Sequence, residues 1–125
     1  RKNCNGILFR WQNNCGVKEV HIRIACPPLI YPCCFLNFST SRSTFDLFAR
    51  RVIRDLEGTS ELTDEILKPY SDPDSEKYKE MVRVMCQHLQ LDSLQFQRLD
   101  DLVKAIGLPK EQLCTHCWDN SSYME

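Results

Sequence analysis

Apolar positions along the chain switch between a helical and a strand period, and the switches mark its elements. Ile7, Leu8, Trp11 and Cys15 recur at helical spacing up to Gly16, which has the place of a helix stop. From Val17 to Cys26 the period becomes two. Val20, Ile22 and Ile24 fall on one face and Glu19, His21, Arg23 and Ala25 on the other, as in a half-buried strand. Pro27-Pro28 ends the strand, because proline lacks a donor and constrains the residue before it. Helix, glycine and strand in that order make the αβ half of a βαβ unit, whose commonest setting is a parallel sheet.

Leu29 to Phe35 is a compact apolar loop holding two adjacent thiols, Cys33 and Cys34, followed by a polar turn over Ser39 to Ser43. Phe45, Leu47, Phe48, Val52, Ile53 and Leu56 supply the apolar side of a helix that Ser43 or Thr44 caps and Glu57-Gly58 closes. Arg50, Arg51 and Arg54 read as its solvated face. Thr59 to Pro73 turns polar, with Pro69 and Pro73 breaking periodicity, and predicts a surface excursion with one short helix from Thr63 to Leu67. A stronger helix starts near Asp74 or Ser75. Tyr78, Met81, Val82, Met85, Cys86 and Leu89 form its buried stripe, the methionines as core filler and His88 at its edge. Ser93 to Phe96 alternates as a short strand, and Leu99, Leu102, Val103 and Ile106 form a last stripe ended by Gly107.

At 125 residues the chain is read as a single domain. Its 16 basic and 17 acidic residues nearly cancel, so no overall field draws in nucleic acid or anionic lipid, and neither is an expected partner. No apolar run reaches the length of a membrane span. The first residue is Arg1 rather than Met, which points to a processed product or a piece of a longer protein. Eight cysteines are many, but several, Cys86 among them, lie inside apolar periodic segments. That favours reduced thiols and a cytoplasmic location over a secreted disulfide framework.

The chemistry concentrates at Cys114-Thr115-His116-Cys117. Two thiols two residues apart can aim at one metal ion or one iron–sulfur cluster, which supplies half of a four-ligand shell. Cys4, Cys15, Cys26, Cys33, Cys34 and Cys86 are the other sulfur candidates, and His21, His88 and His116 the nitrogen donors. The loop around Cys33 and Cys34 stands out, because ligands in open α/β sheets collect beyond the carboxyl ends of strands. Adjacent cysteines rarely ligate one centre together, so one ligand and one bystander are expected there.

Val17 to Pro28 (VKEVHIRIACPP), followed by Tyr31-Pro32-Cys33, resembles the segment after the diphosphate-binding loop in glutamine phosphoribosylpyrophosphate amidotransferases, where the strand reads much like KEVHIRIASPP and leads to HPC. Leu91-Asp92-Ser93-Leu94 with Leu102 to Gly107 resembles that family's ADSL and EGLLKAIG blocks. Cys114 to Asp119 resembles its CTACFTG. Together these cover about half of the chain, in the family's order. The resemblance implies a partial phosphoribosyltransferase-type parallel sheet with flanking helices and a helical insertion. The insertion falls at about 59–89, and 90–125 supplies the C-terminal strand, helix and CxxC pair.

The resemblance also implies a 4Fe–4S cluster bound by four cysteines. Carried over, Cys33, Cys114 and Cys117 are three ligands, with the fourth outside this chain. The parent would use Mg²⁺ and phosphoribosyl pyrophosphate, and would be a homo-oligomer that includes the remainder of the enzyme. Cys34 stands where the family has an aromatic residue, so Cys33 and Cys34 could exchange roles. His116 leaves zinc as an alternative metal in a small interaction module, and a metal-free domain of reduced core cysteines is a third reading. The family's N-terminal nucleophilic cysteine and its acidic diphosphate loop have no counterpart here. Cys4 is not N-terminal, Asp100-Asp101 lies in an amphipathic helix, and 4 glycines make no phosphate cradle. The chain alone is therefore not expected to catalyse the parent reaction.

Overall fold

In the computed structural model the described residues are 14–33 and 44–121. The helix expected over 7–15 lies almost wholly outside them, as do Cys34 and the polar turn at 39–43. The elements are β1 (His21–Ile24), α1 (Phe48–Glu57), α2 (Asp64–Ser71), α3 (Glu76–His88), β2 (Ser93–Phe96), α4 (Leu99–Ile106) and α5 (His116–Asp119), with 3-10 turns at Thr44–Asp46 and Lys110–Gln112. Among the described residues this is a mixed α/β fold with one two-stranded parallel sheet and five α-helices. No helix is long and apolar enough to cross a membrane.

His21 lies opposite Ser93 and Ile24 opposite Phe96. Asp92 brackets one end of the ladder, accepting from Val20 N–H at 2.7 Å and donating its own N–H to Val20 O at 3.0 Å. Gln97 N–H closes the other end on Ile24 O at 2.9 Å. The alternation is as the sequence implies: Val20 is buried, Ile22 and Ile24 are half-buried, and His21, Arg23 and Ala25 face solvent. Parallel strands need a long crossover, and α1, α2 and α3 all lie within it.

The core is built from that crossover. Val52 and Ile53 of α1, Leu67 of α2 and Met81 of α3 have no exposed surface. Ala49, Tyr70, Met85, Leu94 and the loop residues Ile30 and Tyr31 complete the cluster. The methionines fill the core as their spacing predicts. Cys86 is half-buried, its thiol donating to Leu91 O at 3.2 Å, and His88 is exposed with its ring against Phe48.

Three local readings differ from the structure. The Thr59–Pro73 stretch holds the expected short helix, with Thr63 at its N-cap, but it runs on to Ser71 and is not a surface excursion, because α2 inserts Leu67 and Tyr70 into the core. Pro69 lies inside α2, where it removes the N–H that would bond the Glu65 carbonyl, and the helix ends two residues later at Ser71. Ser75 Oγ donates to Pro69 O while accepting from Tyr78 N–H, so one hydroxyl closes α2 and caps α3. At α1 the expected cap Thr44 does not open the helix, and the other candidate, Ser43, lies outside the described residues. Thr44 starts the 3-10 turn, and the N-cap position falls to Leu47, a buried leucine whose side chain has no polar group with which to cap the helix. The α1 arginines are not simply solvated either. Arg50 Nε donates to Ile30 O at 2.6 Å, and the Arg51 and Arg54 guanidinium groups lie over the rings of Phe48 and Phe45.

Glu57 joins α1 to α2 and α3, accepting from Lys77 Nζ and Tyr70 Oη, each at 2.6 Å. Those two bonds, Lys77 first, hold its carboxyl below the ordinary range. A depressed folded-state pKa adds stability that is present above the unfolded carboxylate value, about 4.3, and is lost as pH falls through the folded value. Glu57→Gln is therefore expected to cost about 1 kcal/mol near pH 7. Urea denaturation should show that difference shrinking as pH drops below about 4; a constant difference from pH 7 to 3 would refute the assignment.

Candidate metal centre

Beyond the carboxyl end of β1, Pro27 and Pro28 are buried and turn the chain into the Leu29–Cys33 loop. The C-terminal turn returns to this loop. Ile30 N–H and Tyr31 N–H both donate to Cys117 O, at 2.9 and 3.0 Å. One carbonyl thus fastens two residues of the loop, and Arg50 fastens the same loop to α1 from the other side. The cost of leaving buried peptide groups unpaired makes such a double anchor specific.

This anchoring brings two of the three expected thiols together. Cys33, 5% exposed, forms a side-chain hydrogen bond with Cys117. Burial first, then the Cys33 thiol and the nearby Cys114, push the Cys117 thiol up to about 12. At neutral pH Cys117 is therefore protonated, and a metal ion would have to displace its proton. Cys114 is exposed and close enough to act on Cys117 electrostatically. It does not close the set: among the described residues no three His, Cys, Asp or Glu side chains are gathered tightly enough to hold a metal ion. The sulfur donors fit a soft metal or cluster in kind, with the shell incomplete. His116 packs its ring against Tyr31, centroids 6.0 Å apart.

The turn carrying the CxxC is held by groups that a search for metal ligands passes over. Thr115 is the N-cap of α5 and is 2% exposed. Its hydroxyl donates to Asp119 Oδ1 at 2.8 Å, and Ser121 bonds the same oxygen through its hydroxyl at 2.8 Å and its N–H at 3.1 Å. Lys110 Nζ takes Asp119 Oδ2 at 2.6 Å. Burial pushes the Asp119 carboxyl up, but Lys110, Thr115 and Ser121 together outweigh it and hold the group below its ordinary range. The only signal in the sequence was the i, i+4 spacing of Thr115 and Asp119.

Two further features lie outside this turn or beside it. An open cavity of about 320 Å³ is lined by Tyr31, Asp64, Glu65, Lys68, Asp119 and Asn120. On the outer sheet face, Ser93 Oγ, His21 and Glu19 form a hydrogen-bonded chain of 2.8 and 3.0 Å, an order reminiscent of a nucleophile relay. It is solvent-exposed, and Arg23 donates to the same Ser93 oxygen at 2.9 Å, so neither water exclusion nor a free nucleophile is provided. Comparison with protein-family models, curated proteins and solved structures found no match to this chain.

Proposed function

We propose that the chain is the C-terminal segment of an amidophosphoribosyltransferase-like protein, whose parent transfers glutamine-derived ammonia to phosphoribosyl pyrophosphate in purine synthesis. Its own work is to extend a phosphoribosyltransferase-type sheet and to hold a 4Fe–4S cluster through Cys33, Cys114 and Cys117, the fourth thiolate coming from outside this chain. The observation that carries this reading is the contact between Cys33 and Cys117, residues far apart in sequence that the Ile30 and Tyr31 bonds bring together. The parallel pairing of the two strands that carry the resemblance supports the sheet assignment. So does α4, whose Leu99, Leu102, Val103 and Ile106 are not buried and offer an apolar face to the remainder of the parent. When bound, the cluster supplies a structural cross-link between the loop and the C-terminal turn. The Mg²⁺ and phosphoribosyl pyrophosphate chemistry belongs to the parent, in the cytoplasm.

Anaerobic reconstitution with ferrous iron and sulfide tests this reading. The expected product is brown, with broad visible absorbance and bound iron. Cys33→Ser, Cys114→Ser and Cys117→Ser should each reduce retained iron to background, while Cys86→Ser should keep it. Colourless protein that takes up one zinc through the same thiols would favour the zinc module instead. Iron retention indifferent to Cys117→Ser would remove the cluster reading.

A further inference from the structure

The cavity beside the C-terminal turn holds a hydroxyl that the fold leaves unused. Tyr31 is 5% exposed and lines this cavity of about 320 Å³, at the small end of the range for ligand pockets, roughly 300–1,000 Å³. Its N–H is fastened to Cys117 O, and its ring meets the His116 ring at 6.0 Å and the Arg50 guanidinium at 5.8 Å. Its hydroxyl has no hydrogen-bond partner among the described residues. A hydroxyl withdrawn from water without a partner costs free energy, which a ligand in the cavity would recover. Burial first, then the Asp64 carboxylate, raises the pKa of this hydroxyl, with Arg50 opposing and Asp119 adding. It is thus protonated at neutral pH and within electrostatic reach of two carboxylates that line the same cavity.

The charges around that hydroxyl narrow the ligand. Asp119 is already met by Lys110, but the α2 carboxylates are not. The Asp64 carboxylate accepts only from the Asn120 amide, at 3.3 Å, and the Glu65 and Lys68 side chains make no hydrogen bond or ion pair among the described residues. Two carboxylates against one ammonium leave an excess of negative charge, which suits a cation. A metal ion does not fit, because among the described residues no three ligating side chains gather closely enough to hold one. A quaternary ammonium is bound over an aromatic face. Here Arg50 already lies over the Tyr31 ring, and what remains on offer is oxygen. Acids in the first turn of α2 also suit the helix dipole, but that role makes no use of the Tyr31 hydroxyl. We propose that this cavity binds a free, small primary alkylammonium compound, its –NH₃⁺ group donating to Tyr31 Oη and to the Asp64 and Glu65 carboxylates. No thiol takes part, so the site stands or falls separately from the amidotransferase and cluster reading.

The test is an NMR chemical-shift titration of the isotope-labelled 125-residue chain with propylammonium chloride at constant ionic strength. Saturable shifts are expected at the Asn120 side-chain amide and at the Tyr31 and Asp64 backbone amides, with choline binding at least about tenfold more weakly. Tyr31→Phe keeps the ring and its contacts, and should weaken propylammonium about tenfold through loss of a hydrogen bond to a charged group. Glu65→Gln should weaken it and Lys68→Met should tighten it, each roughly two- to fivefold. Shifts that fail to saturate, choline bound as well as propylammonium, or unchanged affinity in Tyr31→Phe or in Glu65→Gln would overturn the proposal. Loss of binding in Lys68→Met would overturn it too, by pointing to an anionic group on the ligand. Nα-acetyl-lysinamide, which carries its ammonium on a peptide unit, should bind no more tightly than propylammonium; tighter binding would overturn the assignment to a free amine. Glu65 and Lys68 are exposed, so their variants decide the matter even if Tyr31→Phe fails to fold.

Discussion

Leu67→Ala is expected to cost about 3 kcal/mol of folding free energy, in the usual range for a Leu truncated inside a well-packed core. Leu67 has no exposed surface, and its cluster joins α2 to α1, α3, β2 and the Ile30–Tyr31 loop. Cavity formation adds to the lost transfer energy because four elements hold the site open and none can collapse into it alone. The melting temperature should fall by roughly 10 °C. Leu56, 37% exposed on α1, is the matched control, and Leu56→Ala should cost less than about 1 kcal/mol. Urea denaturation of both variants measures the difference. Equal and small effects would mean that α2 is not packed as described.

That prediction falls where the sequence misled. Strong periodicity was legible: the Met81 and Met85 stripe, the Val20–Ile24 alternation, and the Ser93–Phe96 strand all have the burial their spacing demands. Gly58 and Gly107 end α1 and α4 in the left-handed conformation, at φ of 66° and 78°, as glycine stops should. The α2 segment was harder. A short helix over Thr63–Leu67 was legible, but eight residues carry too few turns to display a stripe, and Pro69 argues locally against extending it. Tertiary burial of Leu67 and Tyr70 decides the outcome. The same override moves the start of α1 to Leu47, because burying that leucine outweighs a polar cap.

At the site, the CxxC spacing brought Cys114 and Cys117 forward and the family resemblance added Cys33, and the fold brings Cys33 and Cys117 together. What spacing could not show is how the turn is held. Hydrogen bonds between Thr115, Asp119, Ser121 and Lys110 depend on the chain reversing after α5, at Asn120 with φ of 66°. Nor could it show that Arg50, one of three similar arginines on a helix, anchors the loop that carries Cys33.

Asp119→Ala tests that clamp. The substitution removes the acceptor used by Lys110, Thr115 and Ser121, and leaves the buried Thr115 hydroxyl with only Ser121 as a side-chain partner. Charge-assisted bonds contribute about 1.5–3 kcal/mol each in net terms, and the half-exposed Lys110 bond contributes less. A loss of about 2–3 kcal/mol is therefore expected. Asp119→Asn keeps acceptors for the two hydroxyls but not the charge opposite Lys110, and should cost about 1 kcal/mol. The consequence for the thiols separates this clamp from ordinary packing. With the turn loosened, Cys117 should lose its fixed place beside Cys33, and its alkylation should speed up in Asp119→Ala, less in Asp119→Asn, and not in the equally destabilised Leu67→Ala when all are compared well below their melting temperatures. Site-resolved alkylation rates, read by mass spectrometry, measure this. Unchanged Cys117 labelling in Asp119→Ala would show that the backbone bonds from Ile30 and Tyr31 hold the sulfur pair without help from the carboxylate.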